Sequence, residues 1–208
     1  MHKEEEVRSD LLTLDDDGFF MKYIVKSPNW YFHEYLKQGQ NRSWENLDRF
    51  KEIVSKHFSI SFHCVQIVGS AKLGLSLSPE HLLSPFRAEF DGNPSDLDVA
   101  LISEKLFLKW WRILREKCVA LDTMEGRDVN YTAKAVFRGF IGSQSLLNQS
   151  ELRKIWDDDT RGINKEIQDK VGIVHPVTYR IYRSWEDLEE YQICSIKKAR
   201  KELTQRDC

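Results

Sequence analysis

Two short stretches of this chain carry residue types suited to phosphate and metal chemistry. The first is Gly69-Ser70-Ala71-Lys72, which follows the apolar run Cys64-Val65-Gln66-Ile67-Val68. The second is Asp96-Leu97-Asp98, which opens into Val99-Ala100-Leu101-Ile102. Alternate residues of a strand point to one face, so Asp96 and Asp98 are expected to aim their carboxylates together. Neighbouring carboxylates repel and partly protonate unless a cation relieves them. Mg²⁺ suits this task, because it takes a few carboxylates together with phosphate oxygens and water. Two such ions would clamp the attacking and leaving oxygens of a phosphoryl group. Gly69 permits close approach of backbone to a phosphate. Ser70 offers a hydroxyl and an N–H near an expected helix start, an arrangement that favours anions. Lys72 lies inside the same loop and is the candidate cation for the phosphates.

Each stretch also has an ordinary structural reading. Gly-Ser after a strand serves as a turn and helix cap, and Asp-x-Asp at a strand entrance serves as a solvated loop end. The two together, in this order and each beside an apolar strand, favour the chemical reading.

The order of strand, Gly69-Ser70 loop, intervening segment and Ser95-Asp96-Leu97-Asp98 strand resembles the signature of the DNA polymerase β-like nucleotidyltransferase superfamily, over residues 63–103. The resemblance implies an α/β (α+β) fold with a small mixed sheet flanked by helices. It implies that Gly69 and Ser70 bind a nucleoside triphosphate (NTP), and that Asp96 and Asp98 are the catalytic, metal-binding acids for Mg²⁺ or Mn²⁺. The expected activity is transfer of a nucleoside monophosphate from an NTP to a hydroxyl of RNA, protein or another nucleotide, with release of pyrophosphate. Small bacterial proteins similar in this way occur in toxin–antitoxin and antiviral defence settings, which makes such a role an analogy for this chain.

Two features depart from the superfamily pattern. The segment between Ser70 and Asp96 is long. It contains Ser78-Pro79 and Ser84-Pro85 and ends in Phe90-Asp91-Gly92-Asn93-Pro94, which reads as an ordered surface loop. The family also draws a third carboxylate from a later strand, and the best later strand here, Val177-Thr178-Tyr179-Arg180-Ile181-Tyr182, contains no acid. Asp128 and the run Asp157-Asp158-Asp159 are other acids, but nothing in their context places them there. A second expectation follows: a catalytically impaired module of the same fold that binds a nucleotide or a protein partner. A third keeps an unrelated α/β domain in which both stretches are coincidental.

The elements that must position these residues can be read from periodicity. Residues 1–17 read as a loosely held arm with a short helix, ending in a solvated Asp15-Asp16-Asp17. Residues 28–58 read as two helices. Pro28 lies in the first turn, Gly39 is a stop, and Ser43 caps the second helix, whose stripe is Trp44, Leu47, Phe50, Val54 and Phe58. His57 reads as a surface or packing residue. Ser103 caps a helix bearing Leu106, Phe107, Trp110, Leu114, Cys118 and Leu121. Residues 129–140 read as helix with Asp128 at its start, where an acid is favourable without any chemistry. Residues 143–172 read as helical pieces punctuated by Gly162 and Gly172. Ser184 opens a final helix. Its Lys197, Lys198, Arg200 and Lys201 read chiefly as complements to the helix end, with contact to a triphosphate or an RNA backbone as the alternative. The expected organisation is an N-terminal arm with helices over 1–58, a nucleotidyltransferase core over 59–142, and a C-terminal helical segment over 143–208. The last carries a third core strand near 176–182, and the three parts form one compact unit.

Composition sets outer limits. The chain has 208 residues, enough for a sizeable core. Its formal net charge of -2 gives no global basic excess that would advertise nucleic acid. Cys64, Cys118, Cys194 and Cys208 show no metal-binding spacing, and Cys64 and Cys118 read as buried thiols. Such usage fits a reducing cytoplasm. No run reaches membrane-spanning length, and the acidic start does not suit a secretory signal, so the expectation is a cytoplasmic protein that does not enter membranes.

Overall fold

The computed structural model describes residues 3–37, 39–88, 92–120, 126–142 and 150–206; at 40, 117–120, 126–129 and 150–151 it describes the backbone only. The readings for Phe90, Asp91, Leu121 and Cys208, and those for the side chains of Cys118, Asp128 and Val129, lie outside the described residues.

Four strands form one mixed sheet: β1 (Val65–Val68), β2 (Leu97–Ile102), β3 (Phe140–Gly142) and β4 (Val177–Tyr182), in the spatial order β1-β2-β4-β3. β1 runs antiparallel to β2, β2 parallel to β4, and β3 antiparallel to β4. The chain is thus α+β. Parallel β2 and β4 need a crossover. It is supplied by α5 (Glu104–Ala120), α6 (Gly126–Phe137), β3 and α7 (Ser150–Val171).

The sheet's two faces differ. Val65, Ile67, Leu97, Val99, Leu101, Tyr179 and Ile181 share the main core with α3 (Gln40–Phe58), α5 and α7. On the other face Val68, Ala100, Ile102, Phe140 and Tyr182 pack against Leu188 and Tyr191 of α8 (Trp185–Arg206). Strand alternation assigns Asp98, Thr178 and Arg180 to this second face. The expected caps of α5 and α8 are present: the Ser103 Oγ accepts from Leu106 N–H (3.2 Å) and the Ser184 Oγ from Asp187 N–H (3.3 Å).

Several expectations require correction. The N-terminal arm is docked, not loose. α1 (Glu4–Thr13) places Val7 and Leu11 in a fully buried cluster with Ile196, Ala199 and Leu203 of α8. Burial of such side chains contributes roughly 1.5–3 kcal/mol each. The acidic triplet is not merely solvated: the Asp15 carboxylate accepts from Gly18 N–H (2.8 Å), capping α2 (Asp16–Phe19), and Asp16 pairs with Arg200. Helix α3 begins after Gly39 rather than at Ser43, whose hydroxyl sits inside the first turn and donates to the Gly39 carbonyl (2.8 Å). Instead of a helix starting at Pro28, the stretch before it holds a π-helical turn, Tyr31–Tyr35. The helix expected through Phe140 stops at Phe137, because Phe140–Gly142 pairs with β4. Residues 150–171 make one helix that runs through Gly162. Its stripe of Leu152, Trp156, Ile163, Ile167 and Val171 enters the main core, and that burial outweighs the cost of about 1 kcal/mol for a glycine in a helix. Cys64 is only partly buried.

Among the described residues, no helix is long and apolar enough to cross a membrane.

Candidate functional site

At one end of the sheet β1 stops and β2 and β4 begin. Val68, the last residue of β1, is the register partner of Asp98, and Asp98 is the register partner of Thr178. The chain leaves β1 through Gly69, at φ +67°, into the short helix α4 (Gly69–Leu73). This left-handed turn lies directly over Asp98: a Cβ on residue 69 would sit 2.7 Å from Asp98 Oδ2. Real Cβ atoms do not come so near an oxygen, so glycine is required here twice, by backbone angle and by space.

A cavity of about 290 Å³ opens beside this turn. Gly69, Ser70 and Asp98 form one side, Arg180 rises from β4, and Gln192 and Lys198 project from α8. Tyr191, Gln192, Ser195 and Lys198 recur at helical spacing, so a single stripe of α8 makes the wall. Gln192 is 6% exposed.

The Asp98 carboxylate is the acidic centre. Burial pushes its pKa up; the Arg180 charge and the Thr178 hydroxyl, which donates to Oδ1 (2.9 Å), pull it down, and the Asp96 charge raises it again. Net, the proton is held more firmly than by an ordinary carboxylate. Asp96 lies one residue before β2, is exposed, and is not part of the cavity wall.

Arg180 is walled by rings. Its guanidinium lies 4.7 Å from the Tyr191 ring centre and 5.4 Å from that of Phe140, and Nη1 reaches the Tyr182 hydroxyl at 3.5 Å. No carboxylate lies within ion-pairing distance of it among the described residues.

Lys72 points elsewhere. Its Nζ donates to the Ser27 carbonyl (2.5 Å), and burial, with the Lys51 charge adding, pushes its pKa down to about 8. It takes no part in the cavity wall. The C-terminal cations divide by position. Arg200 donates to the Leu11 carbonyl (2.7 Å) and the Leu14 carbonyl (2.8 Å) at the end of α1, and Lys197 lies 3.7 Å from Asp16. Lys198 alone of the four lines the cavity.

The structure therefore brings together Gly69, Ser70 and Asp98, leaves Asp96 at the edge and turns Lys72 away. Arg180 and Gln192 line the cavity, Thr178 donates to the Asp98 carboxylate, and sequence reasoning missed all three. The signal for two of them was present: Thr178, Arg180 and Tyr182 alternate along a strand, and pairing that strand with β2 brings them to the Asp98 face.

By donor chemistry alone, Asp96 and Asp98 are the side chains that would hold a hard cation. They are two carboxylates, and one or two suffice for Mg²⁺ when phosphates and water complete the shell. Among the described residues no group of three or more His, Cys, Asp or Glu side chains is assembled, and the β4 positions nearest Asp98 hold Thr178 and Arg180.

In comparisons with family models, curated proteins and solved structures, nothing matches this chain.

Proposed function

We propose that the cavity at Gly69 and Asp98 binds an NTP, and that the chain is a nucleotidyltransferase of the DNA polymerase β-like kind. It would move a nucleoside monophosphate to a hydroxyl acceptor on RNA, protein or nucleotide. The observation that carries this reading is the contact between the Gly69 turn and the Asp98 carboxylate, with Arg180 and Lys198 in the same cavity. A bare backbone turn, a buried acid and two cations around a small void suit a phosphate chain better than an apolar ligand. The order β1-β2-β4 and the position of the Gly-Ser turn at the end of β1 accord with the resemblance.

Asp96 and Asp98 would hold one Mg²⁺ or Mn²⁺, which supplies Lewis-acid polarisation of a phosphoryl oxygen when bound. The Gly69 and Ser70 backbone would seat the phosphates. Thr178 fixes the Asp98 rotamer through its hydrogen bond and favours the charged carboxylate, offsetting part of the effect of burial. Catalysis in such a site comes mainly from positioning and charge stabilisation.

The test is incubation with α-labelled NTPs and Mg²⁺, with pyrophosphate release and labelled product both read. Transfer to any acceptor from a panel of RNA, protein and nucleotide supports the reading, provided Asp98→Asn loses it. Absence of pyrophosphate release from folded wild-type protein across that panel overturns it. The second reading, a module that binds nucleotide without transferring it, is favoured by Thr178 and Arg180 standing where the resemblance implies a third acid. It expects nucleotide binding with no pyrophosphate. The proposal of a cytoplasmic location rests on the cysteine usage and the acidic start, and that of a part in defence or toxin–antitoxin systems rests on the resemblance alone.

A further inference from the structure

We infer that Arg180 and Lys198 form a polyphosphate seat that works without a divalent cation, so that binding of the phosphate chain is separable from any metal held by Asp96 and Asp98. The inference rests on the proposed reading of this cavity as an NTP site, and it assigns the phosphate contacts to residues that the Gly-Ser signature does not include.

Arg180 is the principal ground. It is partly buried, yet among the described residues it forms no ion pair within 4 Å and only one of its N–H groups reaches an acceptor, at the long distance of 3.5 Å. A guanidinium offers five donors in a planar fork that matches phosphate oxygens. The rings of Tyr191 and Phe140 lie beside the guanidinium without consuming those donors. Such a cation is costly to place in a sheet unless an anion visits it. Asp98 offsets part of that cost from across the cavity, but its Oδ1 already accepts the Thr178 hydroxyl.

The second ground is the company Arg180 keeps. Lys198 lines the same void, is exposed, and has no ion pair among the described residues, although its neighbours Lys197 and Arg200 are both committed to Asp16. Gln192, a residue only 6% exposed, adds a carboxamide to the same cavity wall. Ser70, Ser76 and Ser78 add hydroxyls on the opposite side. One carboxylate against two cations and several neutral donors leaves the cavity with net positive character. Inorganic triphosphate or the phosphate tail of an NTP meets that demand, whereas an uncharged nucleoside does not.

The test is calorimetric titration of the intact chain with inorganic triphosphate, ATP and adenosine, each in EDTA and in Mg²⁺. Triphosphate and ATP are expected to bind in EDTA within about tenfold of their affinity in Mg²⁺, with affinity falling as salt rises, and adenosine is expected not to bind. Arg180→Gln is expected to weaken triphosphate by about tenfold or more, and Arg180→Lys to restore part of that loss. Lys198→Gln, an exposed change with no packing role, is expected to weaken it severalfold and decides the matter if the Arg180 variants do not fold. Three results would each overturn the inference: triphosphate binding that vanishes in EDTA, Lys198→Gln binding like wild type, or adenosine binding as tightly as ATP. Failure here is distinct from failure of the transferase reading. Pyrophosphate release in Mg²⁺ with no binding in EDTA sinks only the seat; binding in EDTA with no pyrophosphate sinks only the transfer.

Discussion

The Asp98 carboxylate and the Gly69 turn touch so closely that a methyl group on residue 69 would lie 2.7 Å from Oδ2. The Gly-Ser loop and the Asp-Leu-Asp strand, separated by a long insert in sequence, are thus one packed unit. Gly69→Ala therefore carries two penalties. A left-handed alanine costs roughly 1–2 kcal/mol, and the new methyl must push Asp98 out of place. Gly39 is the control, since it has φ +79° with nothing within 4 Å of its would-be Cβ. Gly39→Ala is expected to lower Tm by a few degrees, as about 1 kcal/mol does in a domain of this size. Gly69→Ala is expected to lower it further and, unlike Gly39→Ala, to abolish triphosphate binding. Thermal melts with and without inorganic triphosphate read both effects.

Asp98 sets a pH dependence with a defined sign. Its folded pKa is raised, chiefly by burial. The native state therefore holds a proton that the unfolded chain releases, and stability contributed here falls as pH rises through the interval from the ordinary carboxylate range to the raised folded value. Asp98→Asn removes that fall. The variant is expected to be as stable as wild type or more so at pH 7, to lose the advantage as pH drops toward 4, and to lose nucleotidyl transfer. Thr178→Val takes away a donor that favours the charged form, so it is expected to deepen the fall. Urea titrations across pH 4–8 on the three proteins check the order.

Lys72 gives the opposite sign at higher pH. Its folded pKa is about 8, below that of a free lysine, because the amine is buried. The unfolded chain binds the proton more tightly, so stability from this group rises as pH climbs from about 8 to the ordinary lysine value, and is constant below that window. Lys72→Met keeps the apolar stem, removes the buried charge, and is expected to flatten the rise while stabilising the protein at pH 7. If the slope between pH 8 and 10 is the same in both proteins, the burial of Lys72 is not maintained in solution.

The apolar runs and strand–turn order around 65–70 and 97–102 placed β1 and β2 correctly, because both features are local. The acid-free strand at 177–182 was also legible, but its register was not: nothing in Val177–Tyr182 alone says that Thr178 will face Asp98. Lys72 misled for a similar reason. Its position in the loop suggests a phosphate ligand, yet α4 turns the amine toward the Ser27 carbonyl, a contact across 45 residues. The charged composition of residues 1–17 suggested a loose arm, because its two deciding apolar residues, Val7 and Leu11, are few and lie in a cluster that includes residues of the distant last helix. Gly162 looked like a break, because the cost of a helical glycine is local and the stripe that overrides it is read only against α3 and α5.

Arg200 is the latch of that arm. It donates from Nε to the Leu11 carbonyl and from Nη2 to the Leu14 carbonyl, and it pairs with Asp16. It thereby satisfies carbonyls that the end of α1 leaves without helical partners. Arg200→Ala removes two charge-assisted hydrogen bonds to backbone and leaves Asp16 without its nearest cation. The expected cost is about 2–4 kcal/mol, since each hydrogen bond to a charged group contributes roughly 1.5–3 kcal/mol and the losses overlap. The loss should be regional. Hydrogen exchange is expected to speed most in α1 and in the Asp16–Val25 segment, less in the facing turns of α8, and little in α5 and α7, which belong to the main core. Because α8 also carries Gln192 and Lys198 into the cavity, weakened triphosphate binding in Arg200→Ala would show that the docked arm steadies the wall of the site. Uniform acceleration across all helices would instead mean that the arm and the sheet unfold as one, and that the latch serves the whole protein rather than its N-terminus.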